Sequence, residues 1–184
     1  MMLNILKTKK PYEQEAKALY AQCLSTVRRP WFYTDCGLPD TMEARFDLLL
    51  LHVFLLIDRN LSDAKTADSE ALNQALFDIM FKDMDQTLRE MGIGDMGVPK
   101  RMRKMMTGFN GRMHAYHDAI DTLDNANDSA PLRAVIKRNI YADNADESFV
   151  SILTDYALEQ REHLKGILYR DLLTTTPLFT ERSS

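Results

Sequence analysis

The chain has 184 residues, 45% of them apolar and 27% charged, a length and balance that predict a single domain over 1–184 and exclude a disordered or fibrous class. A net charge of −4 excludes a chain-wide electrostatic footprint for nucleic acid, so any basic patch must be local. The two cysteines, Cys23 and Cys36, match no metal-binding spacing and are too few for a disulfide framework, which points to a reducing compartment.

The N-terminal MMLNILKTKKPYEQE has too short an apolar run for a signal peptide and turns acidic too early for an Arg-rich transit peptide. It is read as the start of the mature protein, with 1–10 a flexible end. A first helix is expected over 11–27, opened by Pro11 and ended by Pro30, which disfavours helical backbone in Arg29. Trp31-Phe32-Tyr33 and the residues after them read as a loop. Asp40 and Glu43 then resemble a capping box in which Asp40 caps and Glu43 reaches back. The following helix, about 41–60, is apolar on nearly all faces and is therefore expected at the centre of the domain. Its uncharged run, Leu48 to Ile57, is about half of the ~20 residues a membrane span requires.

A third long helix is expected over 69–91, where Leu72, Leu76, Met80, Met84 and Leu88 form one stripe widened by Phe77 and Phe81. GIGDMGVP stops it, and Pro99 opens a helix over 98–123 with apolar positions from Met102 to Leu123 at i, i+3, i+4, i+7 spacing. A short helix over 131–140 and a last one over 146–173, capped by Asp146, complete the chain. Residues 174–184 read as a frayed tail. No strand alternation competes, so the expected fold is all-α, a single irregular bundle of about six helices. The 11 methionines suit an irregular core first and an apolar partner second.

Lys100, Arg101, Arg103 and Lys104 crowd the first turns of the 98–123 helix, where the macrodipole disfavours each exposed cation by roughly 0.3–1 kcal/mol. Either this is a solvated face partly offset by Asp95, or it is a site for something anionic, such as phospholipid headgroups, haem propionates or an acidic partner. On the 69–91 helix, Asp83 and Glu90 fall inside or beside the apolar stripe, and Asp83 is expected to meet Arg45 or Arg101 in a structural ion pair. His114 and His117 with nearby carboxylates have a spacing compatible with metal ligation, which defines the alternative reading, a helical metal- or haem-using enzyme. The Glu-x-x-His pattern of carboxylate-bridged di-metal bundles is absent, so neither metal nor cofactor is expected. His52 reads as a core histidine. Trp31, Phe32 and Tyr33 either plug the bundle end or form a docking spot. A nucleotide-binding or hydrolase motif does not occur.

Two blocks carry a more specific signal. RRPWFYTDCGLPDTMEARFDLLLLHVFLL, with Asp40, Arg45, Asp47 and His52, and QALFDIMFKDMDQTLREMGIGDMGVPKRMRKM, with Phe77, Asp78, Asp83, Asp85, Arg89, Glu90, Gly92, Gly94 and Asp95, resemble the signature of the ubiquinol–cytochrome c chaperone family. Leu38, Ala44 and Asn110 depart from its usual pattern, but none of these departures removes a charged signature residue. The resemblance implies a chaperone without a reaction of its own, which holds cytochrome b for assembly into the respiratory bc1 complex. It implies as further partners a small helical co-chaperone and the ribosome, with no direct nucleic-acid binding. With little beyond the core domain, the chain is similar to a bacterial version, expected in the cytoplasm and peripherally on the inner (cytoplasmic) membrane surface.

Overall fold

The computed structural model describes residues 12–62, 66–168 and 171–181. Seven helices occur among them, α1 (Glu13–Thr26), α2 (Trp31–Thr34), α3 (Met42–Ser62), α4 (Ala67–Glu90), α5 (Val98–Ala126), α6 (Ala130–Tyr141) and α7 (Glu147–Lys165). The expected all-α bundle is present. The start of the first helix at Pro11 and the expected flexible end at 1–10 lie outside the described residues.

α3 is the axis of the bundle. Every residue from Asp47 to Leu56 is buried, and α1, α4, α5, α6 and α7 all pack on it. Each fully buried leucine there contributes on the order of 1.5–3 kcal/mol, which explains why a helix apolar on every face is stable only in this position. α4 presents its expected stripe, with Leu72, Leu76, Met80, Met84 and Leu88 buried. α1 lies alongside α4, and the Tyr20 hydroxyl donates to Asp83 at 2.8 Å.

Local chemistry places several boundaries differently from the sequence reading. Trp31–Thr34 is a helical turn, adding a seventh helix to the expected six. Thr41, not Asp40, caps α3, because its Oγ1 accepts from the Ala44 amide at 3.2 Å while Asp40 pairs with Arg45. α4 starts in a capping box formed by Thr66 and Ser69, which hold two orphan amides reciprocally. α7 is capped by Asp146, as expected, but ends at Lys165, short of 173.

The largest correction concerns the C-terminus. Residues 174–181 are not frayed: Leu178 and Phe179 are fully buried. Arg29 donates to the carbonyls of Phe179 and Thr180. Gln22 accepts from the Leu178 amide and Gln160 from the Thr180 amide, both at 2.8 Å. The segment is a strap across α1 and α7, with the Leu178 and Thr180 amides and the Phe179 and Thr180 carbonyls satisfied by side chains of those neighbours and of Arg29.

Candidate functional site

A groove of about 850 Å³ opens between α3, α4, α5 and α7. Its apolar lining includes Phe54 and Ile57 of α3, Phe77 of α4, and Phe109 and Met113 of α5. The ring of Phe77 meets that of Phe109 edge-on at 5.3 Å, and Phe81 backs Phe109 at 5.6 Å. These residues continue the stripes read from the sequence, but the sequence does not show that α4 and α5 leave a gap between them.

The groove has a charged margin. The Arg161 side chain is only 6% exposed and pairs with Asp124 at 2.6 Å and Asp58 at 2.8 Å. The two carboxylates hold the guanidinium charged against the cost of burial, and the hydrogen-bonded Arg161 in turn pulls the Asp124 carboxyl below its ordinary range. This cluster escaped the sequence reading because Asp58, Asp124 and Arg161 come from three helices with no local motif. His114 and His117 also line the groove. His117 approaches Asp121 at 3.7 Å with both side chains exposed, and among the described residues no three His, Cys, Asp or Glu side chains converge in a way that could hold a metal.

The other residues singled out in the sequence divide between scaffold and surface. Phe32 is completely buried and offers no surface to a partner, which corrects its place in a docking spot. Trp31 and Tyr33 are half-buried, with Trp31 and Phe32 packed on Tyr156 at 5.4 and 5.2 Å. His52 faces Phe32 and Phe179. Its Nδ1 lies 2.8 Å from the Leu48 carbonyl and its Nε2 2.9 Å from the Tyr156 hydroxyl. A neutral ring donating from Nδ1 and accepting at Nε2 satisfies both contacts, and burial lowers its pKa to about 4.

Asp83 meets neither Arg45 nor Arg101. Tyr20 is its partner, because α1 rather than an arginine covers that part of α4, while Arg45 is held by Asp40. The buried carboxylate that does meet an arginine is Asp47, whose Oδ1 lies 2.6 Å from Arg112 Nε. Burial there outweighs Arg112 and raises the Asp47 pKa to about 6.

The remaining signature residues lie on α4 and in the α4–α5 turn. Asp78 accepts from Gln74 and Glu90 from Gln86. Arg89 bridges Asp85 at 2.7 Å and Asp95 at 2.8 Å, so Asp95 faces Arg89 rather than offsetting the basic cluster. Gly92 takes a φ of 77°. Its amide donates to Arg89 and that of Ile93 to Leu88, the Schellman closure that requires a left-handed residue after the helix. Gly94 is exposed in the same turn. Beyond it Lys100, Arg101, Arg103 and Lys104 are all exposed. Arg103 donates to the Pro99 carbonyl at 3.4 Å.

This architecture has recognisable relatives. The crystal structure of the Cbp3 homolog from Brucella abortus superposes with a TM-score of 0.78 at 35% identity, covering 94% of this chain and 92% of that one. The mouse ubiquinol–cytochrome c reductase complex assembly factor 1 is 25% identical over 161 residues, 87% of this chain and 52% of its own length. The Xenopus laevis counterpart is 25% identical over the same share of this chain and 77% of its own. The chain thus spans about half the length of the mouse relative. The family model described as ubiquinol-cytochrome C chaperone matches residues 34–179, taking in α3 to α7, the groove and most of the strap, and on this match the chain belongs to the ubiquinol–cytochrome c chaperone family.

Proposed function

We propose that this protein is a non-catalytic assembly factor that binds cytochrome b and promotes its assembly into the bc1 complex. The relatives are named as assembly factors of the ubiquinol–cytochrome c reductase complex, and the groove is the observation that carries the reading to this chain. An open trough of about 850 Å³, floored by phenylalanines with Met113 beside them, can shield apolar side chains of an unassembled membrane protein. Aromatic rings and methionine adapt to such surfaces without demanding hydrogen-bond partners. The charged margin at Arg161 limits how far an apolar segment can slide and favours a client with polar groups at one end.

In this reading the chain performs no reaction of its own. It acts in the bacterial cytoplasm, peripherally at the membrane where cytochrome b is inserted, with a small helical co-chaperone and the ribosome as the further partners. No described helix is long and apolar enough to cross a membrane, so attachment would come from a surface or from a partner. The exposed cations Lys100, Arg101, Arg103 and Lys104 form the anion-binding part of that surface.

The test is a pull-down of tagged protein from cells making the bc1 complex, with detergent-solubilised membranes probed for cytochrome b. Gln74→Trp with His114→Trp fills the groove from two exposed lining positions, and circular dichroism confirms that the bundle persists. Cytochrome b recovered with the unaltered protein and reduced about tenfold by the filled groove is the expected outcome, equivalent to about 1.4 kcal/mol of lost affinity. Equal recovery by both would remove the groove from the client site, and recovery by neither would end the cytochrome b reading.

A further inference from the structure

We propose that the end of the bundle formed by the turn at 91–97 and the first turns of α5 docks into the interface of a membrane carrying anionic lipid. This rests on the reading above for its purpose, but not for its evidence. Six large apolar residues are exposed among the described residues, and four are methionines, Met42, Met91, Met96 and Met106. Met96 is 95% exposed and Met91 50%, and with Met106 they flank the basic cluster in the chain. Met42 joins them through the small cleft it lines with Met84, Leu88 and Met105. A single exposed apolar side chain needs no explanation, but the gathering of several at one end does.

The charges at this end are arranged to match an anionic plane. At about 100° per residue the four cations of α5 fall within an arc of about 160°, with Met102, Met105 and Met106 on the opposite side. Among the described residues, none of the four forms an ion pair with a carboxylate. The neighbouring acids are already engaged: Asp85 and Asp95 by Arg89, Asp40 by Arg45, Asp83 by Tyr20, and Glu90 through Gln86. Between Asp85 and Lys104 the chain carries five cations and three acids, a local excess of two positive charges in a protein of net −4.

Lipid fits this surface better than a protein acid. An acidic partner would need fixed carboxylates opposite cations spread over nearly half the helix circumference, whereas a headgroup layer is continuous and adapts to them. Methionines, long and without hydrogen-bond demands, enter the acyl boundary while adjacent lysines and arginines remain at headgroup level. The Asp85–Arg89–Asp95 bridge and the Gly92 closure hold the turn so that Met96 projects without support from the core.

Flotation of the full chain with phosphatidylcholine vesicles, with and without phosphatidylglycerol, tests this. Binding is expected only with phosphatidylglycerol and should weaken as salt rises. The reversal K100E/R101E/R103E/K104E should lower partitioning by roughly a hundredfold or more, and Met91→Asn with Met96→Asn by roughly tenfold. Met96→Trp should show a blue-shifted emission on phosphatidylglycerol vesicles. Equal binding to both vesicle types, or unchanged binding after charge reversal, overturns the proposal. So does failure of the unaltered protein to bind vesicles while the reversal abolishes cytochrome b capture in detergent, which reassigns the cluster to a protein acid. The vesicles contain no cytochrome b and the pull-down contains no bilayer, so either reading can fail alone.

Discussion

The two sides of α3 are finished differently. On the side formed by α1, α2, α7 and the C-terminal strap, aromatic rings close around His52, and Gln22, Arg29 and Gln160 tie the strap to α1 and α7. On the side of the α4–α5 hairpin, α5 buries only five of its 29 residues, against thirteen of 21 in α3. Its surface carries a trough, exposed methionines and four cations that, among the described residues, have no carboxylate partner. The first side holds the fold, and the second keeps apolar and charged groups available at little cost because the first is complete. The Arg89 bridges and the Gly92 closure show that the hairpin is shaped, not merely loose.

Substitutions can test how strictly the sides are divided. The largest effect is expected at the strap. Phe179→Ala opens a cavity beside His52 and should cost about 3–5 kcal/mol in urea unfolding, a loss that would not occur if the tail were frayed.

A smaller effect, opposite in sign on the two sides, is expected from pH. His52, with its folded pKa lowered from 6.5 to about 4, is less protonated when folded than unfolded, so its contribution to stability is lost as pH falls between those values, by roughly 3 kcal/mol at most. Asp47, which ties α3 to α5 through Arg112, has its pKa raised from 3.8 to about 6 and binds more proton when folded, so stability falls as pH rises across that window. The two terms oppose, giving a flat profile between about pH 4 and 6. His52→Gln should leave stability falling with rising pH, and Asp47→Asn should leave it rising. Parallel urea titrations across the window would show whether the slopes separate.

The smallest effect on stability is expected at the tip. The four-residue charge reversal and Met96→Asn should each change unfolding free energy by no more than about 0.5 kcal/mol, despite their expected effect on vesicle binding. A large loss of stability there would make the cluster part of the scaffold and erase the division.

Much of the first side was legible because burial leaves periodic traces. The unbroken apolar run of α3, the stripe of α4 and the cap at Asp146 follow from local rules. The strap was missed because TTTPLFT has turn-like composition and no period, and what holds it is distant in the chain: the burial of Leu178 and Phe179 and the contacts with Gln22, Arg29 and Gln160. The trough was missed for a related reason: Phe77, Phe109 and Met113 look like core residues in their own helices, and whether a stripe is covered depends on how far apart two helices lie.

The residues by themselves determined the helix content, the central place of α3, the compositional oddity of KRMRK and, through two long signature blocks, the family. These depend on periodicity, capping and composition, which act over a few residues. Only the tertiary structure decided that Asp83 meets Tyr20, that Asp47 meets Arg112 and that Arg161 joins two distant acids. Those outcomes depend on which side chains arrive together when the helices pack, and chain spacing does not encode such distances.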